Sequence, residues 1–253
     1  MRDIKREEMQ ELLDRLALKS SRSLVDHLRF RLRSIFKLAV SEGAADRNPA
    51  ESLYSPRHCQ PGRGRKVLEP KQLSGILSAV ALREQVIVRL ATLCGMRPGE
   101  ILALKLRDFT GAELVVERRL YRGDLDIPKT SRSTRTVALP KGTQELLQVW
   151  IAQNLMSDPE QWLFPSEANT PLTRDSLWRW KLFPKLKEIG LDWANFQVMR
   201  RTYATWSKQI GVDAHTRSAQ MGNTVDVNEN EYAVASFEQK LAAVAKLETA
   251  VIQ

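Results

Sequence analysis

The chain has 253 residues, of which 43% are hydrophobic, and 39 Lys and Arg against 30 Asp and Glu give a net charge of +9. This length fits one large domain or two smaller ones, and the apolar content is enough to bury a core, which excludes wholesale disorder. The basic excess favours a polyanionic partner, with nucleic acid ahead of an anionic membrane, although a basic chain can also be merely soluble.

Two cysteines, Cys59 and Cys94, give neither a disulfide framework nor the spacing of a zinc site, and they fit a reducing cytoplasm. The three histidines share no metal-ligand spacing either. The charged N-terminus differs from a signal peptide, and no apolar run reaches the roughly 18 residues of a membrane span. We therefore expect a cytoplasmic protein without membrane attachment, metal or cofactor.

Two helices are predicted in residues 1–55. Apolar residues at helical spacing predict one over 4–18, and Ser23 with Asp26 predicts the start of a second that runs to about residue 43. The apolar stripe of the second helix consists of Leu24, Leu28, Leu32, Ile35, Phe36 and Ala39. Its polar positions are basic, and the candidate DNA contacts are Arg22, Arg29, Arg33 and Lys37. This pattern predicts a small helical unit with a basic exterior.

A basic linker is predicted over 56–67. Its prolines and glycines oppose regular structure, and its charge density suits contact with phosphates, although an ordinary solvated linker also contains Pro and Gly. The candidate DNA contacts in this segment are Arg63, Arg65 and Lys66.

Residues 68–253 are predicted to form a mainly α-helical body with a small antiparallel β-sheet. Helical patterns cover 70–80, 84–94, a short segment from Pro98, 141–155, 174–189, 198–210 and 214–221. Two β-prone segments, 114–121 and 134–139, bracket a basic turn region. An apolar stripe runs from Phe237 to Val251.

Arg97 stands where a helix is predicted to begin. Pro98 and Glu100 are typical of a first helical turn, and an arginine there lies beside backbone N–H groups that bind anions. The alternative is that Arg97 pairs with Glu100 and merely stiffens the turn.

Four segments together resemble the tyrosine recombinase (phage integrase) family. They are Cys-Gly-Met-Arg97-Pro-Gly-Glu, Ile-Pro-Lys129-Thr-Ser-Arg-Ser, Gln197-Val-Met-Arg200-Arg201, and Met221-Gly-Asn223 followed nine positions later by Tyr232. The resemblance covers about 68–236, whereas 1–55 resembles only the later part of a core-binding domain. It implies the catalytic fold of that family over 68–253, with a C-terminal exchange helix, after a truncated helical core-binding domain over 1–55.

The resemblance also implies a reaction and its residues. Arg97 and Arg200 would hold the scissile phosphate, Tyr232 would attack it to form a 3′-phosphotyrosine, and Lys129 would protonate the departing 5′-oxygen. Gln197 and Asn223 take the places of two histidines; an amide can donate a hydrogen bond but does not titrate near neutrality. Double-stranded DNA, self-association into a tetramer on it, and a bacterial or phage source are implied, with no metal or ATP.

Two other hypotheses remain open. A protein on the same fold that binds DNA without cutting it, as an accessory or regulatory factor, is consistent with Gln197 and Asn223. A metal-dependent nuclease built on Asp124, Asp126 and Lys129 is the weaker alternative. His215, the one histidine near these segments, is predicted to be an ordinary surface position on a helix.

Overall fold

The structure is a computed structural model that describes residues 4–62, 64–126 and 134–227. The chain divides into two compact units, Met1–Gly64 and Arg65–Gln253. This division falls inside the predicted linker, and the finer division into 1–55, 56–67 and 68–253 stays a prediction. Within the described residues, no helix combines the length and the apolar character that crossing a membrane requires.

The first unit contains helices α1 (Arg6–Ala17) and α2 (Arg22–Ser41). The N-cap of α2 is Ser21, so the predicted start at Ser23 was two residues late. The core of this unit consists of Met9, Leu13, Ala17, Val25, Phe36, Ala50 and Leu53. Leu24 and Ile35 of the predicted stripe are exposed by 58% and 47%. The stripe is wider than the surface that α1 and the segment around 50–53 cover, so its outer edge stays at the surface.

The second unit is organised around one buried helix. It begins with α3 (Pro70–Ala79) and α4 (Leu82–Leu93), followed by the single turn α5 (Pro98–Ile101). Val86, Ile87, Val88 and Leu90 of α4 are fully buried, so most of this helix lies in the core. Helix α3 packs against it, as do two later helices, α6 (Lys141–Gln153) and α9 (Phe196–Gln209).

The β-structure consists of two antiparallel pairs. Strand β1 (Glu113–Val116) pairs with β4 (Arg135–Ala138), and β2 (Arg119–Tyr121) pairs with β3 (Asp124–Asp126). The β-prone segment 114–121 therefore forms two strands rather than one. The break between them lies beside Arg118, and the buried guanidinium group of Arg118 bonds Asp108, in a 3-10 turn, at 2.5 Å. Arg122 and Gly123 join β2 to β3 with φ of 54° and 94°, the backbone of a tight two-residue hairpin.

The remaining helices are α6 (Lys141–Gln153), α7 (Arg174–Ser176), α8 (Phe183–Glu188), α9 (Phe196–Gln209), α10 (Ala214–Met221) and α11 (Val225–Val227). A π-helical turn, Leu177–Leu182, joins α7 to α8. It lies just before Pro184, which lacks the N–H that an α-helix needs at that position. The predicted stripe from Phe237 to Val251 lies outside the described residues.

Candidate active site

Arg97 is placed by two local turns. After α4, Gly95 adopts a left-handed conformation with φ of 66°, and the chain then enters α5 with Arg97 as its N-cap. Glu100 closes this turn, because its carboxylate accepts hydrogen bonds from the backbone N–H and from Nη1 of Arg97, both at 2.9 Å. The other guanidinium nitrogen, Nη2, bonds the Gly222 carbonyl at 3.2 Å and Asn223 Oδ1 at 2.6 Å. Arg97 thus pairs with Glu100 and also reaches beyond the turn.

Arg200 reaches the same point from α9. It is 3% exposed, and its Nη1 donates to the carbonyl of Gly95. Its Nη2 donates to the Met221 carbonyl at 2.7 Å and to Asn223 Oδ1 at 2.8 Å. The packing of α9 on α4 therefore brings together two arginines that are far apart in the sequence.

Asn223 is directed into the site by the end of α10. Gly222 has φ of 65°, its N–H bonds Ala219 O at 3.2 Å, and the N–H of Asn223 bonds Ser218 O at 3.0 Å. These two bonds form a Schellman motif, in which glycine is favoured at the left-handed position. Because both guanidinium groups donate to Oδ1, that atom must be the amide oxygen. The Nδ2 donor is buried and has no hydrogen-bond partner among the described residues.

Glu100 and Arg135 complete the cluster, and sequence reasoning assigned a functional role to neither. Arg135 of β4 grips the carboxylate of Glu100 with two bonds, Nη1 to Oε1 at 3.1 Å and Nη2 to Oε2 at 2.8 Å. Burial alone would raise the pKa of Glu100, but the hydrogen bonds and charges of Arg135 and Arg97 outweigh it and lower the pKa to about 2. The carboxylate is therefore ionised at neutral pH.

Three other predicted catalytic residues are Lys129, Gln197 and Tyr232. Lys129 and Tyr232 lie outside the described residues. Gln197 lies in the first turn of α9, where its side chain is exposed and its N–H bonds Asn195 Oδ1 at 3.0 Å. It stands one helical turn before Arg200, and no hydrogen bond joins it to the arginines in the described part of the chain.

Tyr203 is the described tyrosine near the cluster. Its ring packs so closely on Gly95 that a Cβ there would lie 2.6 Å from Cδ1. Burial raises the pKa of Tyr203, which makes its phenolate harder to form. This tyrosine is therefore suited to packing.

The candidate DNA contacts of α2 are surface side chains, most of them in ion pairs. Arg22 and Arg29 both lie 3.7 Å from Asp26, and Arg33 lies 3.3 Å from Glu51. Lys37 is exposed. Exposed pairs of this kind contribute about 0–1 kcal/mol each to stability.

The predicted linker contacts are described only in part. Arg63 lies outside the described residues, and Arg65 is exposed. Lys66 places Nζ 4.8 Å from the centroid of the Trp193 ring, and its carbonyl accepts a bond from Arg201 Nη1 at 3.2 Å. The start of the second unit is therefore attached to the helix that carries Arg200.

Among the described residues outside the cluster, we find no metal site. His215 is exposed in the first turn of α10, as predicted. Asp126 is paired with Arg119 at 2.6 Å. No group of three His, Cys, Asp or Glu side chains that could hold a metal occurs among residues 4–62, 64–126 and 134–227.

Comparison with known proteins identifies sequences and structures that are similar to this chain. The model of the phage integrase family matches residues 66–237. A tyrosine recombinase XerC-like protein of Caldanaerobacter subterraneus is 26% identical over 85% of this chain, which spans 63% of that protein's length. A tyrosine recombinase XerC of Alcanivorax borkumensis is 28% identical over a match that covers 84% of this chain and 69% of that protein's length.

Solved structures share the fold. The Tn1549 transposon integrase in complex with a circular intermediate DNA has a TM-score of 0.75 at 18% identity, covering 98% of this chain and 86% of that one. The XerH site-specific recombinase bound to a palindromic difH substrate has a TM-score of 0.71 at 18% identity, and the match covers 97% of this chain and 71% of that one. The family match over most of the sequence, together with the mainly helical fold and its small antiparallel sheets, shows that the chain belongs to the phage integrase, or tyrosine recombinase, family.

Proposed function

We propose that the protein is a site-specific DNA recombinase that cuts and rejoins strands through a 3′-phosphotyrosine intermediate. One observation carries the proposal: Arg97 and Arg200 both donate to a single atom, Asn223 Oδ1, at 2.6 and 2.8 Å. Two guanidinium groups that can reach one oxygen can also hold the non-bridging oxygens of one phosphodiester. Such charge-assisted bonds strengthen as negative charge grows in the transition state.

The chemical step needs a nucleophile and an acid, and we assign them to Tyr232 and Lys129 from their sequence motifs. The Tyr232 phenol gives up its proton to solvent and its oxygen forms a bond to phosphorus. The bond from phosphorus to the 5′-oxygen breaks, and Lys129 gives its proton to that oxygen. A free phenol has a pKa near 10, so the cationic pair also favours the phenolate. Attack by a 5′-hydroxyl of another strand reverses these steps and reseals the DNA.

Asn223 supplies a hydrogen bond where a histidine usually stands. Its buried Nδ2 has no partner among the described residues, and an oxygen of the bound phosphate would satisfy it. Gln197, exposed one turn before Arg200, can donate a second amide bond. Neither amide titrates near neutrality, so the proposed site needs no protonated histidine.

The DNA contacts that we propose are Arg22, Arg29, Arg33, Lys37 and Arg63 in the first unit, and Arg65 and Lys66 in the second. Phosphate contacts of this kind position the duplex and make affinity fall steeply with salt. Double-stranded DNA is the proposed substrate, and a tetramer assembled on it is the proposed active form. The proposed location is the cytoplasm, in association with DNA, for a protein of bacterial or phage source. The stripe from Phe237 to Val251 is the proposed exchange helix between protomers.

A second candidate is a protein that binds DNA without cutting it. It is favoured by the position of Asn223 Oδ1, which fills the point between the two guanidinium groups where a phosphate oxygen would bind. If the amide cannot be displaced, the site cannot act.

A covalent trapping assay decides between the two candidates. The protein is incubated, with and without EDTA, with nicked half-sites selected in vitro from randomised duplexes. We expect a denaturation-resistant protein–DNA adduct that EDTA does not abolish and that Tyr232→Phe does not form. Tight binding to the selected site with no adduct would contradict the proposal and leave the binding protein, whereas cleavage that EDTA abolishes would indicate a metal-dependent nuclease.

A further inference from the structure

We propose that Arg135 is a positioning residue, which acts through Glu100 and the Gly222 turn to hold Arg97 and Asn223 in the arrangement that grips the phosphate. This inference rests on the proposed recombinase function. Arg135 itself makes no contact with Asn223 or Arg200 among the hydrogen bonds of the described residues, so its effect on the reaction has to pass through other residues.

The first connection runs through Glu100. Each carboxylate oxygen accepts one bond from Arg97 and one from Arg135, at distances between 2.8 and 3.1 Å. The side chains of Glu100 and Arg135 are only 8% and 9% exposed, so water cannot readily replace either partner. Arg135 thereby supplies half of the hydrogen bonds that the Glu100 carboxylate accepts, and Nη2 of Arg97 stays directed at Asn223.

The second connection runs through the turn that carries Asn223. Arg135 Nε donates to the Gln220 carbonyl at 3.1 Å. The guanidinium group also lies against Gly222, because a Cβ built there would be 2.7 Å from Nη1 and 2.8 Å from Cζ. The amide of Gln220 bonds the backbone of Ala138 in both directions, at 3.2 and 2.8 Å, and so joins β4 to the end of α10.

Loss of Arg135 would leave a buried carboxylate with Arg97 as its remaining cation. The ionised Glu100 would then draw the Arg97 guanidinium toward itself and away from the phosphate position, because a buried charge requires pairing. The local positive charge available to the phosphate would fall at the same time. The residue at 135 should therefore control the rate of cleavage more than the affinity for DNA.

The first test compares Arg135→Met and Arg135→Lys with the wild-type protein. We expect the Kd for the selected duplex to stay within about twofold, and the single-turnover rate of adduct formation to fall at least tenfold in Arg135→Met. Lysine keeps the charge but cannot bond both oxygens of Glu100 as a planar fork does, so Arg135→Lys should recover only part of the rate. Wild-type rates in both variants, or rate losses that match the unfolded fraction measured by thermal unfolding, would overturn the inference.

Gly222→Ala provides an independent variant, because its methyl group would displace the Arg135 guanidinium. Gly190→Ala is the matched control: Gly190 follows α8 in the same Schellman pattern, with φ of 71°, but has no neighbouring atom within 4 Å of an added Cβ. Gly222→Ala should reduce cleavage at least tenfold more than Gly190→Ala at equal folded fraction. Equal effects of the two changes would contradict the role of Arg135.

Failure of the inference can be told apart from failure of the proposed function. If the wild-type protein forms no adduct, the recombinase proposal fails, and binding of inorganic sulfate, measured by titration calorimetry, decides the role of Arg135. We expect Arg135→Met to weaken sulfate binding at least tenfold. Equal affinity in the two proteins, or no sulfate binding by the wild-type protein, would overturn the inference.

Discussion

Asn223→Asp changes one polar atom at the point where the guanidinium groups of Arg97 and Arg200 meet. Oδ1 stays at 2.6 and 2.8 Å from the two Nη2 atoms, but it now belongs to a carboxylate. The variant therefore places an internal anion where we propose that the DNA phosphate binds.

The two effects of this change have opposite signs. At an effective dielectric constant of about 20, each carboxylate–guanidinium pair about 4 Å apart gains roughly 4 kcal/mol. Desolvation of the carboxylate costs several kcal/mol, and a negative charge at the C-terminus of α10 costs about 0.3–1 kcal/mol. The net gain is about 2 kcal/mol of folding free energy, which corresponds to a rise in Tm of about 4–8 °C. The same 2 kcal/mol opposes the phosphate and lowers the cleavage rate about 30-fold.

Thermal unfolding at neutral pH and low salt measures the first effect, and single-turnover adduct formation on nicked half-sites measures the second. Asn154→Asp is the matched control, because Asn154 is the C-cap of α6, where it is exposed and bonds the Trp150 carbonyl at 2.8 Å. It should lower the Tm slightly and leave cleavage unchanged. A Tm for Asn223→Asp that falls as in the control, together with an unchanged cleavage rate, would refute the proposed phosphate position.

Three further predictions concern the Gly95 turn beside the site, the charge of Glu100 and the DNA contact at Lys37. Gly95→Ala should destabilise the protein by about 2–4 kcal/mol in calorimetry and slow cleavage, because its Cβ would lie 2.6 Å from Tyr203 and would move the carbonyl that Arg200 bonds. Gly211→Ala, with φ of 86° and no neighbour within 4 Å of the added Cβ, should cost only about 1–2 kcal/mol, and equal losses would contradict the packing argument. The pKa of Glu100 falls from 4.5 to about 2, so the carboxylate contributes about 3 kcal/mol above pH 4.5 that is lost as the pH falls toward 2. Glu100→Gln should remove that part of the acid-unfolding slope, and an unchanged slope would contradict the paired carboxylate. Lys37→Glu should weaken binding of the selected duplex at low salt and reduce the slope of log Kd against log salt by about one, whereas an unchanged slope would place Lys37 outside the proposed DNA contacts.

Local chemistry explains why part of the site was predictable. Gly95 favours a left-handed turn, and Pro98 favours the first turn of a helix. The turn before Arg97 and the start of α5 can therefore be predicted from neighbouring residues. Gly222 likewise ends α10 and aims Asn223. The meeting of these turns with Arg200 was inferred from a family resemblance, since no local pattern specifies that α9 packs on α4.

The features that could not be predicted from the sequence depend on contacts between distant segments. Arg135 is one of several basic residues near the end of a basic segment, and nothing in the pattern distinguishes it from Arg132. Its role depends on Glu100, 35 positions earlier, and on the Gly222 backbone. The exposure of Leu24 and Ile35 could not be predicted for a similar reason. Periodicity identifies an apolar stripe but does not show how much of the stripe a neighbouring segment covers.

The most direct test of the central claim is to identify the residue that becomes attached to DNA. The trapped adduct is digested with nuclease and protease, and the nucleotide-bearing peptide is sequenced by mass spectrometry. The chain has four tyrosines, and we predict a 3′-phosphonucleotide on Tyr232 that is absent when Arg97 and Arg200 are both replaced by alanine. A nucleotide on Tyr54, Tyr121 or Tyr203, or an adduct that survives loss of both arginines, would contradict the account.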